Sequence, residues 1–421
     1  MLGEFEMGKI RKGADNVMDA ENRTLPFEGI RVLEVGHAVM GPTAGLILAD
    51  MGAEVIRIER TPRGDDTRYL KGFGAGFYPY FNRNKKSLCV NLKSEKGKEI
   101  VYKLAADADI LIENLGPGTM DRLGMGYEEL SARNPRLIYC ALKGFMPGPY
   151  EKRLALDEVV QMMGGLAYMT GPGGKPLRTG ASVTDIMGGT YGVVGILTAL
   201  YERERTGRGQ YVLSALFESV AFLVGQHMTY SAVTGRAAPP MPERVSAWSV
   251  YELFETREGE KIFIGATSDQ QWVRLCEVFG FNDFLSDDRL TTNNQRIDER
   301  GWLIPELTRR IATLSMAEAV ELAQQARLPF SPVARPEDLF EDPQLNDGGS
   351  LVETVLPSGV ETKLPRIPVR VGSYDFKLRN NPPGVGEGGR EVLKQMGYSD
   401  EKMASLVEEG VVVFEHPPRN G

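Results

Sequence analysis

The 421-residue chain is 42% hydrophobic and 25% charged, with a formal net charge of −8. That is the composition of a folded globular protein with one large or two medium domains, and its acidic balance speaks against nucleic acid or an anionic membrane as the main partner. The three cysteines (Cys89, Cys140, Cys276) and three histidines (His37, His227, His416) are scattered; they give no disulfide frame and no zinc spacing, so no metal site is expected.

Residues 1–25 are polar and mixed in charge, with no apolar stretch of a secretory signal. They read as a loosely attached extension, and the protein is expected in the cytoplasm. The apolar run 30–35 suits a buried parallel strand. A turn at 36–42, a helix over 43–51 and a strand over 53–58 complete a βαβ unit, the building block of a doubly wound sheet. A second unit follows: strand 87–92, helix 95–106, strand 110–113, a loop at 114–118, a helix near 127–133 and strand 137–142. Residues 186–203 predict a helix rich in small residues and therefore closely packed. The turn 206–210 leads to strand 211–215 and an apolar helix over 217–233. The longest apolar stretches, such as 193–201, are too short to span a bilayer.

Composition shifts at Thr234, and residues 235–244 read as a linker. A strand pair (250–254 and 261–264) and helices at 270–279, 305–312 and 316–326 then predict a compact α+β domain of about 100 residues. Pro305 is expected at the first position of its helix, where no backbone donor is needed. The tail beyond Pro336 carries Pro- and Gly-rich turns and a short helix at 390–396.

Few residues announce chemistry on pattern alone. The glycine-rich stretch 72–76 lacks the GxGxxG spacing and reads as a surface loop. Asp185, among small residues at a helix start, reads first as a first-turn acid or cap, with a carboxylate nucleophile in a site that excludes water as the other reading. Arg60, Arg68, Arg83, Lys85, Lys86, Lys93, Arg122 and Lys143 fall at loop or strand-end positions, where a few of them would serve a phosphorylated small molecule.

Several ordered motifs then carry a likeness: Leu33-Glu-Val-Gly-His-Ala-Val-Met-Gly-Pro42, Gly52-Ala-Glu-Val-Ile-Arg-Ile-Glu59, Asn84-Lys-Lys-Ser87, Glu113-Asn-Leu-Gly-Pro-Gly118 with Asp121-Arg-Leu-Gly124, Asn134-Pro-Arg-Leu137, Lys143-Gly-Phe145 and Thr206-Gly-Arg-Gly-Gln210. From residue 26 to 413 the chain resembles the family III CoA-transferases, which include formyl-CoA and carnitine CoA-transferases. The resemblance implies an α/β fold with a Rossmann-like large domain (26–222 and 336–421), a smaller α+β domain inserted between (linker and domain, 223–335), and two chains interlocked in a dimer. It implies Asp185 as the nucleophile, acylated in turn as an anhydride and as a CoA thioester, with backbone N–H groups near its turn stabilising the oxyanions. It places His37, Ala38, Met40, Arg60, Val90, Lys93, Asn114, Leu115, Arg122 and Leu123 against CoA. The CoA thioester is then a substrate, and no permanently bound cofactor is expected.

The chain departs from formyl-CoA transferases at Val39, at Leu156 and in the absence of a four-glycine loop, so oxalate is not the expected acid. Leu156 and Met162 suggest an apolar pocket, and Arg153, Arg178 or Arg244 would suit the second carboxylate of a dicarboxylic acid such as succinate. Two other readings stand beside this one. An α-methylacyl-CoA racemase would need a His where Leu156 precedes Asp157. A subunit of a heteromeric transferase, paired with a paralogous chain, would share the fold.

Overall fold

The structure, a computed structural model, describes residues 24–243, 246–372 and 374–414. Most of the expected N-terminal extension, Arg244 and His416 lie outside the described residues. From the N-terminus the chain forms β1 (Arg31–Val35), α1 (Met40–Asp50), β2 (Glu54–Glu59), α2 (Phe77–Phe81), β3 (Lys85–Val90), α3 (Glu95–Asp107), β4 (Ile110–Glu113), α4 (Thr119–Arg122), α5 (Tyr127–Arg133), β5 (Ile138–Lys143), α6 (Asp157–Met163), α7 (Leu166–Thr170), α8 (Val183–Thr206), β6 (Tyr211–Ala215) and α9 (Leu216–Thr234). There follow β7 (Val250–Glu255), β8 (Lys261–Ala266), α10 (Asp269–Val278), α11 (Asn282–Leu285), α12 (Asn293–Asp298), α13 (Arg300–Ile311), α14 (Met316–Gln325), β9 (Phe330–Pro332) and α15 (Pro343–Asp347). The chain ends with β10 (Leu351–Val355), β11 (Glu361–Pro365), α16 (Gly389–Gln395), α17 (Asp400–Glu408) and β12 (Val412–Val413).

Two compact units divide these elements. One takes the residues up to Ala167, Arg178–Gln226 and those from Gly349 on; the other takes Tyr168–Leu177 and His227–Gly348. The first is built on a seven-stranded sheet in the order β12-β3-β2-β1-β4-β5-β6. Six strands are parallel, and β12 closes the β3 edge antiparallel. The parallel strands follow the doubly wound order 3-2-1-4-5-6, whose crevice opens where the loops after β1 and β4 diverge. β4 and β5 are apolar up to their last residue because helices cover both faces of the sheet. Ile100, Val101 and Leu104 of α3 fill one side, while Ala44 and Leu48 of α1 with Val193 and Ile196 of α8 fill the other. Each of the valines, leucines and isoleucines among them contributes about 1.5–3 kcal/mol by its burial.

The second unit has the antiparallel sheet β7-β8-β9, with Trp272, Leu275, Leu303, Leu307 and Ile311 in its core. Here one expectation is corrected. Helix α13 begins at Arg300, and Pro305 lies inside it. Leu303, Leu307 and Ile311 recur at helical spacing and are all buried, and their packing outweighs the one backbone hydrogen bond that proline removes.

A second correction concerns α8. It runs 24 residues with a mean hydropathy of 1.4 over its most apolar window, long and apolar enough to cross a membrane by length and composition. Its buried Val193, Ile196 and Ala199 pack in the core with Cys140 and Leu142, which is the environment of a core helix. The close packing has a direct cause. A Cβ at Gly188 would lie 2.4 Å from Met40 Cε, and one at Gly189 would lie 2.5 Å from the Met40 carbonyl oxygen. Glycine at these positions lets the start of α8, and Asp185 with it, come down beside the loop after β1.

Candidate active site

The loops after β1 and β4 are tied by one side chain. Asn114 Oδ1 accepts the His37 N–H at 2.9 Å, and Asn114 Nδ2 donates to the His37 carbonyl at 2.9 Å. The amide fits because Gly36 and Gly41 leave room: a Cβ there would stand 2.5 and 2.7 Å from Asn114 Oδ1. Ala38 follows with φ +59°, a left-handed conformation costly for a residue with a side chain. Helix α1 then starts with no side-chain cap and no acid in its first turn.

Asp185 lies in the first turn of α8, half-buried. It does not cap its own helix. Asp157, from the start of α6, does so from 28 residues away: its Oδ2 accepts the N–H of Thr184 at 2.9 Å and that of Asp185 at 3.3 Å, with the Thr184 hydroxyl as a third donor. Gln161 donates to the other Asp157 oxygen, and its own amide oxygen takes the Thr179 N–H at 2.9 Å. Arg178 stands 3.6 Å from the Asp157 carboxylate and pairs with Glu158 at 2.5 Å. Burial pushes the Asp185 carboxyl up to about 7, and the neighbouring Asp157 charge adds to the rise, while Arg178 pulls against it.

The expectation of oxyanion donors near this turn cannot be met by the turn's own N–H groups, which these bonds commit. Thr184 and Asp185 donate to Asp157, Val183 donates to the Ala181 carbonyl and Ile186 to the Ser182 carbonyl. The first turn of α8 has no donor left to offer.

A cavity of 560 Å³ brings together His37, Ala38, Met40, Asn114, Leu115 and Asp185, with Phe73, Phe77, Lys143, Arg153, Leu156 and Arg178 also in its wall. A second cavity of 430 Å³ shares His37 and Leu115 and adds Arg60, at the ends of β1 and β2. The remaining expected residues lie in neither lining. Val90 is fully buried in the core, and Leu123 packs against that core. Lys93 is exposed in the turn after β3. Arg122 is exposed on α4, donating to Thr119 Oγ1 at 2.9 Å. Met162, expected in the pocket, is exposed on α6 and absent from the wall.

Of the basic candidates, Arg68, Arg83, Lys85 and Lys143 are held in ion pairs with Glu59, Asp50, Glu34 and Glu113. Buried pairing of this kind removes a cation from phosphate recognition. Glu59 lines the smaller cavity. Burial alone would raise its pKa, but Arg68, Arg57 and Ser87 outweigh that and hold it at about 2. It stays ionised and fixes the Asp65 N–H at 2.8 Å, which shapes the loop beside Arg60. Among the described residues, no group of three or more His, Cys, Asp or Glu side chains is placed to hold a metal ion.

Sequence reasoning noticed Asp157 only as the neighbour of an absent histidine. Phe73 lies in the glycine-rich stretch that reads as a surface loop. Neither residue belongs to a local motif, because each reaches the cavity only through the tertiary fold.

The sequence pattern of CoA-transferase family III matches residues 27–388. The succinyl-CoA:glutarate CoA-transferase of Homo sapiens is 31% identical over 406 residues, covering 93% of this chain and 91% of the relative. The acetyl-CoA:oxalate CoA-transferase of Acetobacter aceti is 33% identical over 386 residues, covering 90% and 97%. A crystal structure of a CAIB/BAIF family protein from Brucella suis superposes with a TM-score of 0.80 at 32% identity, covering 89% of this chain and all of that one.

Proposed function

The chain belongs to CoA-transferase family III, and on that premise we propose that Asp185 carries CoA from one acid to another by covalent catalysis. The enzyme is a CoA-transferase acting on acyl-CoA and carboxylate substrates. An Asp185 oxygen attacks the thioester carbonyl; the C–S bond breaks, CoA leaves as thiolate, and a mixed anhydride forms. The thiolate attacks the aspartyl carbonyl and frees the first acid, leaving an aspartyl-CoA thioester. The second carboxylate attacks that thioester and expels the thiolate, which then takes the new acyl group and restores the Asp185 carboxylate. The exchange needs neither metal nor ATP because each step trades one activated acyl bond for another.

The observation that carries this reading is a half-buried carboxylate of raised basicity in a cavity at the sheet's switch point. A more basic carboxylate is a stronger nucleophile once ionised. Helix α1, uncapped and free of acid in its first turn, turns its positive end to the same cavity, where an oxyanion would form. CoA would lie along His37, Ala38, Met40, Asn114 and Leu115, with its phosphates toward Arg60 and the exposed Lys93 and Arg122.

The acids are dicarboxylic. Of the cavity's two arginines, Arg178 is spent on Glu158 and Asp157. Arg153 packs over the Tyr150 ring at 5.0 Å, pairs with no carboxylate among the described residues, and would take a distal carboxylate. The working form is a homodimer. Ile186, Val194, Leu197 and Tyr201 form an exposed apolar stripe on α8, joined to Phe222 of α9 through Tyr191, the kind of patch that a partner covers.

Mass spectrometry after incubation with succinyl-CoA and hydroxylamine tests the chemistry. A modification on the Asp185 peptide, absent in Asp185→Ala, is expected; no adduct with any acyl-CoA sinks the proposal. Arg153→Ala should cut turnover of glutarate at least about tenfold more than that of acetate, and equal losses would remove Arg153 from substrate recognition.

A further inference from the structure

The cavity that holds Asp185 has an apolar lip. Phe73, Leu154 and Leu156 line it while remaining 77%, 81% and 64% exposed. Phe73 differs from the two leucines in its backbone. It sits in the 3-10 turn Gly72–Gly76, where Gly72 has φ +61° and a Cβ at Gly72 or Gly76 would meet nothing within 4 Å among the described residues. Both ends of the turn therefore stand in open space. Its base is fixed: Phe77 meets Phe73 edge-on with ring centroids 5.4 Å apart, packs against the cluster of Val39, Leu46 and Phe81, and lines the same cavity.

The chemistry gives such a ring a task. Water attacking the acyl carbonyl of the anhydride would release the first acid and regenerate the Asp185 carboxylate. Water attacking the aspartyl thioester would release CoA as thiol and regenerate the same carboxylate. Each event consumes one water and wastes one thioester. A transferase therefore has to admit a carboxylate while keeping water off its acylated aspartate.

We propose that Phe73 sets the ratio of transfer to hydrolysis: from the Gly72–Gly76 turn its ring covers the occupied cavity and excludes water from acylated Asp185. The role rests on the covalent part assigned to Asp185 above. Glycine on both sides of Phe73 lets the ring move without crowding a neighbour, and Phe77 gives it an apolar surface to slide over.

The test uses the full-length enzyme with succinyl-CoA and, in parallel, acetyl-CoA. Thiol release without acceptor reads hydrolysis, and acyl-CoA formation with glutarate reads transfer. Phe73→Ala should raise the hydrolysis-to-transfer ratio at least fivefold, and Phe73→Leu, which keeps an apolar cover, should recover most of it. An unchanged ratio in Phe73→Ala overturns the role of Phe73. Asp185→Asn separates the two readings. If it loses transfer while Phe73→Ala leaves the ratio unmoved, only the shield fails; if it still transfers, the covalent role fails and the shield with it. Thermal melting of each variant confirms that a changed ratio belongs to a folded protein.

Discussion

Asp157 sets its carboxylate 2.9 Å from the N–H of Thr184 and 3.3 Å from that of Asp185, so one charge both anchors the first turn of α8 and resists the ionisation of the residue that turn carries. Removing that charge while keeping an acceptor separates the two effects. With the Asp185 carboxyl at about 7, acylation in single-turnover experiments should climb about tenfold per pH unit below neutrality and level off above it. Asp157→Asn should move the midpoint to lower pH, because the Asp157 charge raises it. A midpoint that stays in place would falsify the coupling.

The same shift makes stability depend on pH. The folded value, about 7, lies above the ordinary carboxylate value of 3.8, so between them the folded chain holds a proton that the unfolded chain has lost. Stability from this group is present at low pH and drains away as pH rises through that window. Asp185→Asn should therefore be on the order of 1–3 kcal/mol more stable than the parent at pH 8, after allowance for partial exposure, and equal to it near pH 3. Denaturant unfolding at the two pH values checks this, and a gain of the same size at both would refute the linkage.

Asn114 holds the two loops that part at the crevice. Asn114→Ala removes both hydrogen bonds and should cost about 1–3 kcal/mol. It should also raise KM for acyl-CoA more than it lowers kcat, since the loops carry the proposed CoA contacts and Asp185 stays in place. Steady-state kinetics with a melting curve decides, and a pure kcat effect would count against it.

Gly189 lets α8 rest on Met40. Gly189→Ala should destabilise by about 1–3 kcal/mol through overpacking and depress transfer by displacing Asp185. Full activity in a stable Gly189→Ala protein would show that the approach of α8 is not critical.

The exposed stripe of α8 predicts association. Val194→Glu combined with Leu197→Glu should place charges on the apolar face and convert a dimer to monomer in light scattering. A monomeric parent protein, or a variant that still dimerises, would reject that face as the interface.

The sheet was legible in the sequence because parallel strands covered on both faces leave unbroken apolar runs, as in Ile110–Ile112 and Ile138–Leu142. Helix α3 declared itself by the spacing of Ile100, Val101 and Leu104. The site was less legible. Asp185 could be a plain first-turn acid by local pattern, and only resemblance singled it out. Asp157 gave no signal because its partner turn lies 28 residues on. Val90 was named for CoA, yet its side chain is wholly in the core; a residue list carried over from relatives does not say which atoms face the ligand. Lys85 and Arg83, two of eight basic residues from which a few phosphate ligands are expected, pair with Glu34 and Asp50, and no one-dimensional pattern reveals such pairs.

The Asn114 amide fills the space left by Gly36 and Gly41, and this locks three positions into one evolutionary unit. A side chain gained at either glycine requires residue 114 to shrink or to swing its amide aside, and either change gives up the bonds to His37. Every single-step path through these positions crosses a weaker intermediate, so the trio should resist drift even where the chain around it diverges.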